Sequence, residues 1–225
     1  MIRKLFFLRH LTRSLGINKL IFKLVYSRKK YEQYFDDLFS SKILPNYIVY
    51  DIGANVGYYS IIYSNIIGNG GKVYSFEPSL INFQKLTHNT HQNSNIFPLN
   101  FAIGETESNI FLSQGEDEIG ANSRLSISAS ENGNWTQLRT LNSFTNELDF
   151  PNAIKIDVEG FEIDVLKGAD IILKSKSLKV IGIELHSEIL NENGVKFPEN
   201  IIENILTNNG FIYKWVDFSH IVAFR

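Results

Sequence analysis

Apolar positions recur with two periods along the chain. At positions 2, 5 and 6, and again at 17, 20, 21, 24 and 25, they fall at helical spacing, with Gly16 as a break between the two groups. A further helix is predicted over 31–41, and Pro45 punctuates the chain there. From residue 46 short apolar runs of strand length take over. Strands are predicted at 47–51, 72–76, 96–101, 154–157, 180–185, 211–216 and 220–224. Helices are predicted between them at 56–67, 79–91 (with Ser79 as N-cap), 165–173 and 198–208.

Buried apolar runs alternating with helices specify an α/β, doubly wound, mainly parallel sheet. The closing pair of strands is joined by only three residues, Asp217-Phe-Ser219, so it must be antiparallel. The stretch 105–150 fits this scheme poorly. It is polar, carries a Ser-rich segment at 123–130, and reads as hairpins or a lid.

Two loops at strand ends carry candidate chemistry. In Val49-Tyr-Asp-Ile-Gly-Ala-Asn-Val-Gly-Tyr-Tyr59, Asp51 ends a strand and Gly53 allows a sharp turn. Gly57 allows close backbone approach, and the following helix N-terminus can hold a carboxylate or phosphate. The dinucleotide fingerprint G-x-G-x-x-G is not met, because Asn55 stands where its second glycine would be. A nicotinamide cofactor is therefore disfavoured. Glu77, at the tip of the second strand and before Pro78, is placed to grip ribose hydroxyls.

A third group lies further along. Lys155, Asp157 and Glu159 share strand parity, and Glu184 and His186 share a face at the end of the next strand. In an open sheet these tips line the ligand crevice. His186 is the first choice for a general base, since imidazole titrates near neutral pH, and Asp157 the second. Glu159 and Glu184 are placed to orient the base or the acceptor. Lys155 is either part of the same machinery or one arm of a structural ion pair. Asp157, Glu159, Glu184 and His186 also form an oxygen-rich set able to hold Mg²⁺ or a similar divalent cation, with Asp157, Glu184 and His186 as the first ligands to consider.

The ordered motifs Asp51-Ile-Gly-Ala-Asn-Val-Gly-Tyr-Tyr59, Phe76-Glu-Pro78, Asn100-Phe-Ala-Ile-Gly104, Lys155-Ile-Asp-Val-Glu-Gly-Phe-Glu162, Leu166-Lys-Gly-Ala169 and Ile183-Glu-Leu-His186 resemble the FkbM family of S-adenosylmethionine-dependent methyltransferases over residues 46–225. The resemblance implies a Rossmann-like class I methyltransferase fold, a seven-stranded mainly parallel sheet with an antiparallel last strand. It implies that Asp51, Gly53, Asn55, Gly57 and Tyr58 surround the methionine part of S-adenosyl-L-methionine. Glu77 and Pro78 would then serve the ribose, and Asn100, Phe101 and Ala102 would border the adenine. Phe101 stands where an acid would contact the adenine, so that contact falls to backbone and stacking. The implied reaction is methyl transfer to a hydroxyl oxygen, on a sugar of a glycan or polysaccharide or on a natural product. The rival readings are a nicotinamide-dependent oxidoreductase on the same sheet and a cofactor-binding module without catalysis.

Composition adds exclusions and one asymmetry. With no Cys, thiolate metal sites and cysteine nucleophiles are excluded. Residues 1–30 hold nine Lys/Arg and no acid, whereas the rest of the chain holds 13 Lys/Arg against 24 Asp/Glu. A basic amphipathic helical extension, 1–45, thus precedes an acidic methyltransferase domain, 46–225. The basic arm offers peripheral contact with an anionic membrane surface. The acidic body and the lack of a target-base motif argue against nucleic acid. The uncharged run 52–71 is too polar to span a bilayer, and no signal peptide is recognisable. The expectation is a cytoplasmic protein, with the arm able to rest on the inner face of the membrane.

Overall fold

The computed structural model describes residues 28–113, 124–126 and 133–225. The basic arm up to residue 27, and with it the expected membrane contact, lies outside the described residues, as does most of the Ser-rich segment. No described helix is long and apolar enough to cross a membrane.

The elements are α1 (Arg28–Ser40), β1 (Ile48–Ile52), α2 (Tyr58–Ile67), β2 (Lys72–Phe76), α3 (Leu80–Thr90), β3 (Ile96–Leu99), β4 (Ala102–Ile103), β5 (Ser108–Ser113), β6 (Arg124–Ser126) and β7 (Gly133–Arg139). A 3₁₀ turn (Leu141–Asn146) leads to β8 (Ala153–Ile156), α4 (Glu162–Lys167), α5 (Asp170–Lys174), β9 (Val180–Glu184), α6 (Ser187–Glu192), α7 (Pro198–Asn208), β10 (Ile212–Trp215) and β11 (His220–Phe224).

The main sheet has seven strands in the order β10-β11-β9-β8-β1-β2-β3. The last strand, β11, is inserted antiparallel between β9 and β10. The central strands are buried on both faces, which is why they read as continuous apolar runs rather than as alternation. One face is covered by α1 and α2 through Phe35, Phe39, Tyr63 and Ile67. Phe39 packs where Gly182 of β9 has no side chain: a Cβ there would stand 2.7 Å from the Phe39 ring. The other face packs against α4, α5, α7 and the 3₁₀ turn, with Leu141, Phe144, Val165 and Ile202 fully buried. This Rossmann-like architecture is the one expected.

Two local expectations need correction. The strand at 96–101 stops at Leu99, because Phe101 N–H turns back to the Leu99 carbonyl and Ala102–Ile103 joins a second sheet. The helix expected over 165–173 is two short helices, because Gly168 presses on the Gly104 backbone: a Cβ would stand 2.0 Å from the Gly104 carbonyl oxygen. Over its described residues the insert 105–150 pairs as antiparallel hairpins, one of the two forms expected for it. It forms a four-stranded sheet, β4-β7-β5-β6, with β5 antiparallel to both β6 and β7.

Candidate active site

A cleft opens at the carboxyl ends of β1, β2, β8 and β9. Its first wall is the β1–α2 turn. Gly53 is at φ +83°, and a Cβ would stand 1.8 Å from the Asp157 carbonyl oxygen, so only glycine lets the turn lie against the β8 loop. Asn55 is also left-handed, at φ 50°, a conformation that Asn tolerates better than most side chains. Its N–H reaches Glu77 Oε2 at 2.8 Å, and Ser79 N–H reaches Glu77 Oε1 at 2.9 Å. Burial pushes the Glu77 carboxyl up to about 7, against the pull of these two amide bonds.

Glu77, Pro78, Gly53, Asn55, Phe101 and Ala102 all line the cleft, as expected. So do Asn82, Ile103 and Leu112, which sequence reasoning missed. Asn82 occupies the first turn of α3, beside the Ser79 cap, and that cap was its one legible signal. Leu112 comes from the second sheet, and nothing in its local sequence points to the cleft. Asn55 Oδ1 and Asn82 Oδ1 are buried acceptors without a hydrogen-bond partner.

Four expected binding residues do not line the cleft. Asp51 is fully buried inside β1, where its Oδ2 accepts Ser60 Oγ–H at 2.7 Å and burial raises its pKa. Gly57 caps α2 at φ 92° and packs against Leu86 and Thr90, so it serves helix packing. Tyr58 points to solvent and edges onto Tyr59. Asn100 folds its amide back onto the Glu77 and Pro78 carbonyls, at 2.8 and 3.1 Å, and fixes the loop rather than facing a ligand.

The opposite wall gathers the charged residues. The strand ends at Ile156, so the parity expected for Lys155, Asp157 and Glu159 stops at Lys155. Lys155 does not reach the cleft. It is buried under the Tyr59 ring, 4.8 Å away, and its Nζ donates to Asp157 Oδ2 at 2.9 Å. Burial alone would lower its pKa, but Asp157 and Asp51 more than offset that. Asp157, Glu159, Glu184 and His186 do line the cleft. Glu159 and Gly160 are both left-handed, at φ 50° and 97°, and this pair of turns swings Glu159 toward His186.

His186 sits between carboxylates. Its Nδ1 lies 2.7 Å from Glu162 Oε1, and its Nε2 lies 3.3 Å from Glu159 Oε2 and 3.9 Å from Glu184 Oε1. Glu162 is fully buried, and the same oxygen accepts Gly160 N–H at 2.9 Å. Burial would lower the His186 pKa, but the Glu162 hydrogen bond and the surrounding acids carry it up to about 9. Behind it, Glu184 Oε2 lies 3.3 Å from His220 Nε2, and His220 Nδ1 lies 2.8 Å from Asp217 Oδ2. Burial would raise the Glu184 pKa, but the His220 bond holds it down at about 2. Glu162, His220 and Asp217 are further residues that sequence reasoning missed. An acid in a first helical turn reads only as a complement to the helix dipole, and the register that sets His220 opposite Glu184 is a long-range pairing.

Residues 51–213 match the family described as the methyltransferase FkbM domain. The chain belongs to the FkbM methyltransferase family. It is 29% identical over 147 residues to the hexuronic acid methyltransferase AglP of Haloferax volcanii, covering 63% of this chain and 57% of that protein. Its fold matches a methyltransferase FkbM structure from Methylobacillus flagellatus, with a TM-score of 0.56 at 18% identity over 88% of this chain and 50% of that one. It also matches Aeropyrum pernix fibrillarin, a structure with natively bound S-adenosyl-L-methionine, with a TM-score of 0.51 at 15% identity over 81% of this chain and 67% of that one. The chain thus spans little more than half the length of the curated relative. Within this FkbM domain the two walls described above face one another across one cleft.

Proposed function

We propose that this FkbM domain transfers a methyl group from S-adenosyl-L-methionine to a hydroxyl oxygen of a sugar, with a glycan containing hexuronic acid as the first acceptor class to test. One observation carries the reading. A single cleft holds a buried carboxylate and unpartnered amide acceptors at one end and a set of acid/base groups at the other. The acceptor class is suggested by the curated relative's name.

The residues at the β1–β2 end fit the cofactor. Glu77 keeps lone pairs beyond its two amide bonds, which suits a pair of ribose hydroxyls. Asn55 Oδ1 and Asn82 Oδ1 are acceptors of the kind an ammonium or hydroxyl needs. Pro78, Phe101, Ile103 and Leu112 give an apolar wall for a flat base. The cofactor supplies an electrophilic methyl on a sulfonium that leaves as a neutral thioether.

At the other end the chain must orient the acceptor hydroxyl and remove its proton. His186 Nδ1 is held by the buried Glu162 at 2.7 Å and its Nε2 faces Glu159 at 3.3 Å, and these acids carry its pKa up to about 9, so without a cation at Nε2 the ring is protonated near neutral pH and is no free base. This reverses the first expectation for His186. The proton passes instead to Glu159, whose carboxyl burial raises above the ordinary range and which opens to the cleft. Lys155 is a positioning residue that holds Asp157.

The test starts with thermal melts in large excess of S-adenosylhomocysteine or of NAD. At about a hundred times its dissociation constant a ligand adds about 2.7 kcal/mol, a rise of about 5–11 °C for this size. A rise with S-adenosylhomocysteine alone supports the reading, and a rise with NAD alone, or with neither, removes it. With a competent acceptor, Glu159→Gln lowers kcat by about 10²-fold or more while S-adenosylhomocysteine affinity stays within about threefold. Unchanged kcat would take Glu159 out of the reaction.

A further inference from the structure

We propose that Asp157, Glu159 and His186 bind a divalent metal cation, with Glu162 orienting the imidazole. The proposal deepens the methyltransferase reading, on which it rests only for the purpose of the metal. Ligand atoms of these three residues all lie within 4.8 Å of one another. Two ligands of one ion span at most about 4.4 Å when each bond is about 2.2 Å, so small side-chain rotations close the set. Each of the three is partly exposed and lines the cleft, which leaves coordination positions open to a substrate.

The arrangement around His186 points the same way. A metal-bound histidine commonly gives its second N–H to a carboxylate, which fixes the tautomer and aims the remaining nitrogen at the ion. Here Nδ1 meets the fully buried Glu162 at 2.7 Å, and Nε2 is thereby aimed at Glu159, 3.3 Å away. A proton on Nε2 and a cation at this point compete for the same place. Of the set expected from sequence, Glu184 is not among the ligand atoms that come together: one of its oxygens faces His220 at 3.3 Å and the other lies 3.9 Å from His186. Lys155 holds Asp157 Oδ2 at 2.9 Å, which leaves Oδ1 as the oxygen of Asp157 to offer a cation. Two carboxylates with one imidazole suit a divalent first-row metal such as Mn²⁺ better than Mg²⁺, which prefers oxygen ligands alone, and the open positions suit an oxygen ligand such as a sugar hydroxyl. A coordinated hydroxyl loses its proton more readily. The second oxygen of a monodentate Glu159 remains able to take that proton.

The test uses the full chain, stripped with chelator and titrated with Mn²⁺. Free Mn²⁺ is read by electron paramagnetic resonance, and nitrogen coupling to the bound ion is read by pulsed methods. One Mn²⁺ per chain with imidazole nitrogen coupling is expected. His186→Gln should remove the coupling, and Glu159→Gln should weaken binding at least tenfold. Glu162→Gln keeps all three ligands and should still weaken it by about 10–100-fold. No bound Mn²⁺ at millimolar concentration, bound Mn²⁺ without nitrogen coupling, or undiminished affinity in Glu159→Gln would each overturn the proposal. If His186→Gln does not fold, the wild-type coupling and the Glu159→Gln affinity decide. S-adenosylhomocysteine binding is measured on the same sample. Binding of that ligand without Mn²⁺ removes the metal and leaves the methyltransferase reading, and the reverse result leaves the metal and removes the cofactor.

Discussion

At Glu77 two opposing effects meet in one carboxyl. Burial raises its pKa to about 7, while the Asn55 and Ser79 amides pull it down. An acid raised in the folded state contributes stability below its unfolded pKa and loses that contribution as pH rises through 7. Ligand binding should run the other way, because ribose hydroxyls bond more strongly to a carboxylate than to a neutral acid. S-adenosylhomocysteine affinity should therefore rise by about tenfold between about pH 6 and about pH 8, read by calorimetry. Glu77→Gln should bind about ten times more weakly than wild type at the upper pH and show a flat profile. A wild-type profile equally flat would mean that Glu77 does not hold the ribose.

The elements explain what the sequence could and could not reveal. The central strands β1, β8 and β9 were legible because both of their faces are buried and helices lie between them in sequence. The loops at the carboxyl ends of the sheet's strands were legible for the same reason, since Gly53, Glu77, Asp157 and His186 follow apolar runs directly. What failed was inference from parity and from proximity in sequence. Lys155 shares parity with Asp157, yet it lies buried beneath Tyr59, because the strand ends one residue later. Gly57 and Tyr58 follow the cleft-lining residues Gly53 and Asn55 in sequence, but one packs a helix and the other faces solvent. The place of α1 was equally hidden, because its docking depends on the missing side chain of Gly182, far along the chain. Phe39, fully buried against Tyr63 and Phe35, should be the anchor of that helix. Phe39→Ala should cost about 3–5 kcal/mol in urea unfolding. A cost under about 1 kcal/mol would mean that α1 is not held by this contact.

Across the whole molecule, a chain of alternating acids and histidines ties the end of the sheet to the cleft. Asp217, His220, Glu184, His186 and Glu162 follow one another at ion-pair distance, from the hairpin of β10 and β11 to the first turn of α4. His220 is the structural centre of that chain, buried against the Phe35 ring at 4.6 Å. Burial alone would lower its pKa, but the hydrogen bonds to Asp217 and Glu184 carry it up from 6.5 to about 9. A histidine raised in this way adds stability that is complete below about pH 6.5 and is lost as pH rises through about 9. Its partner Glu184, held at about 2, adds stability that is complete above about pH 4.5 and is lost as pH falls. The two shifts share one ion pair, so they count once, at most about 3 kcal/mol. Wild type and His220→Gln should be melted side by side from about pH 5 to about pH 10. The difference between them should be largest near pH 5–6.5 and shrink toward pH 10, while the Glu77 contribution, present in both, cancels. A difference that does not change with pH would mean that His220 supports the hairpin by packing alone, and that Glu184 is not held ionised by it.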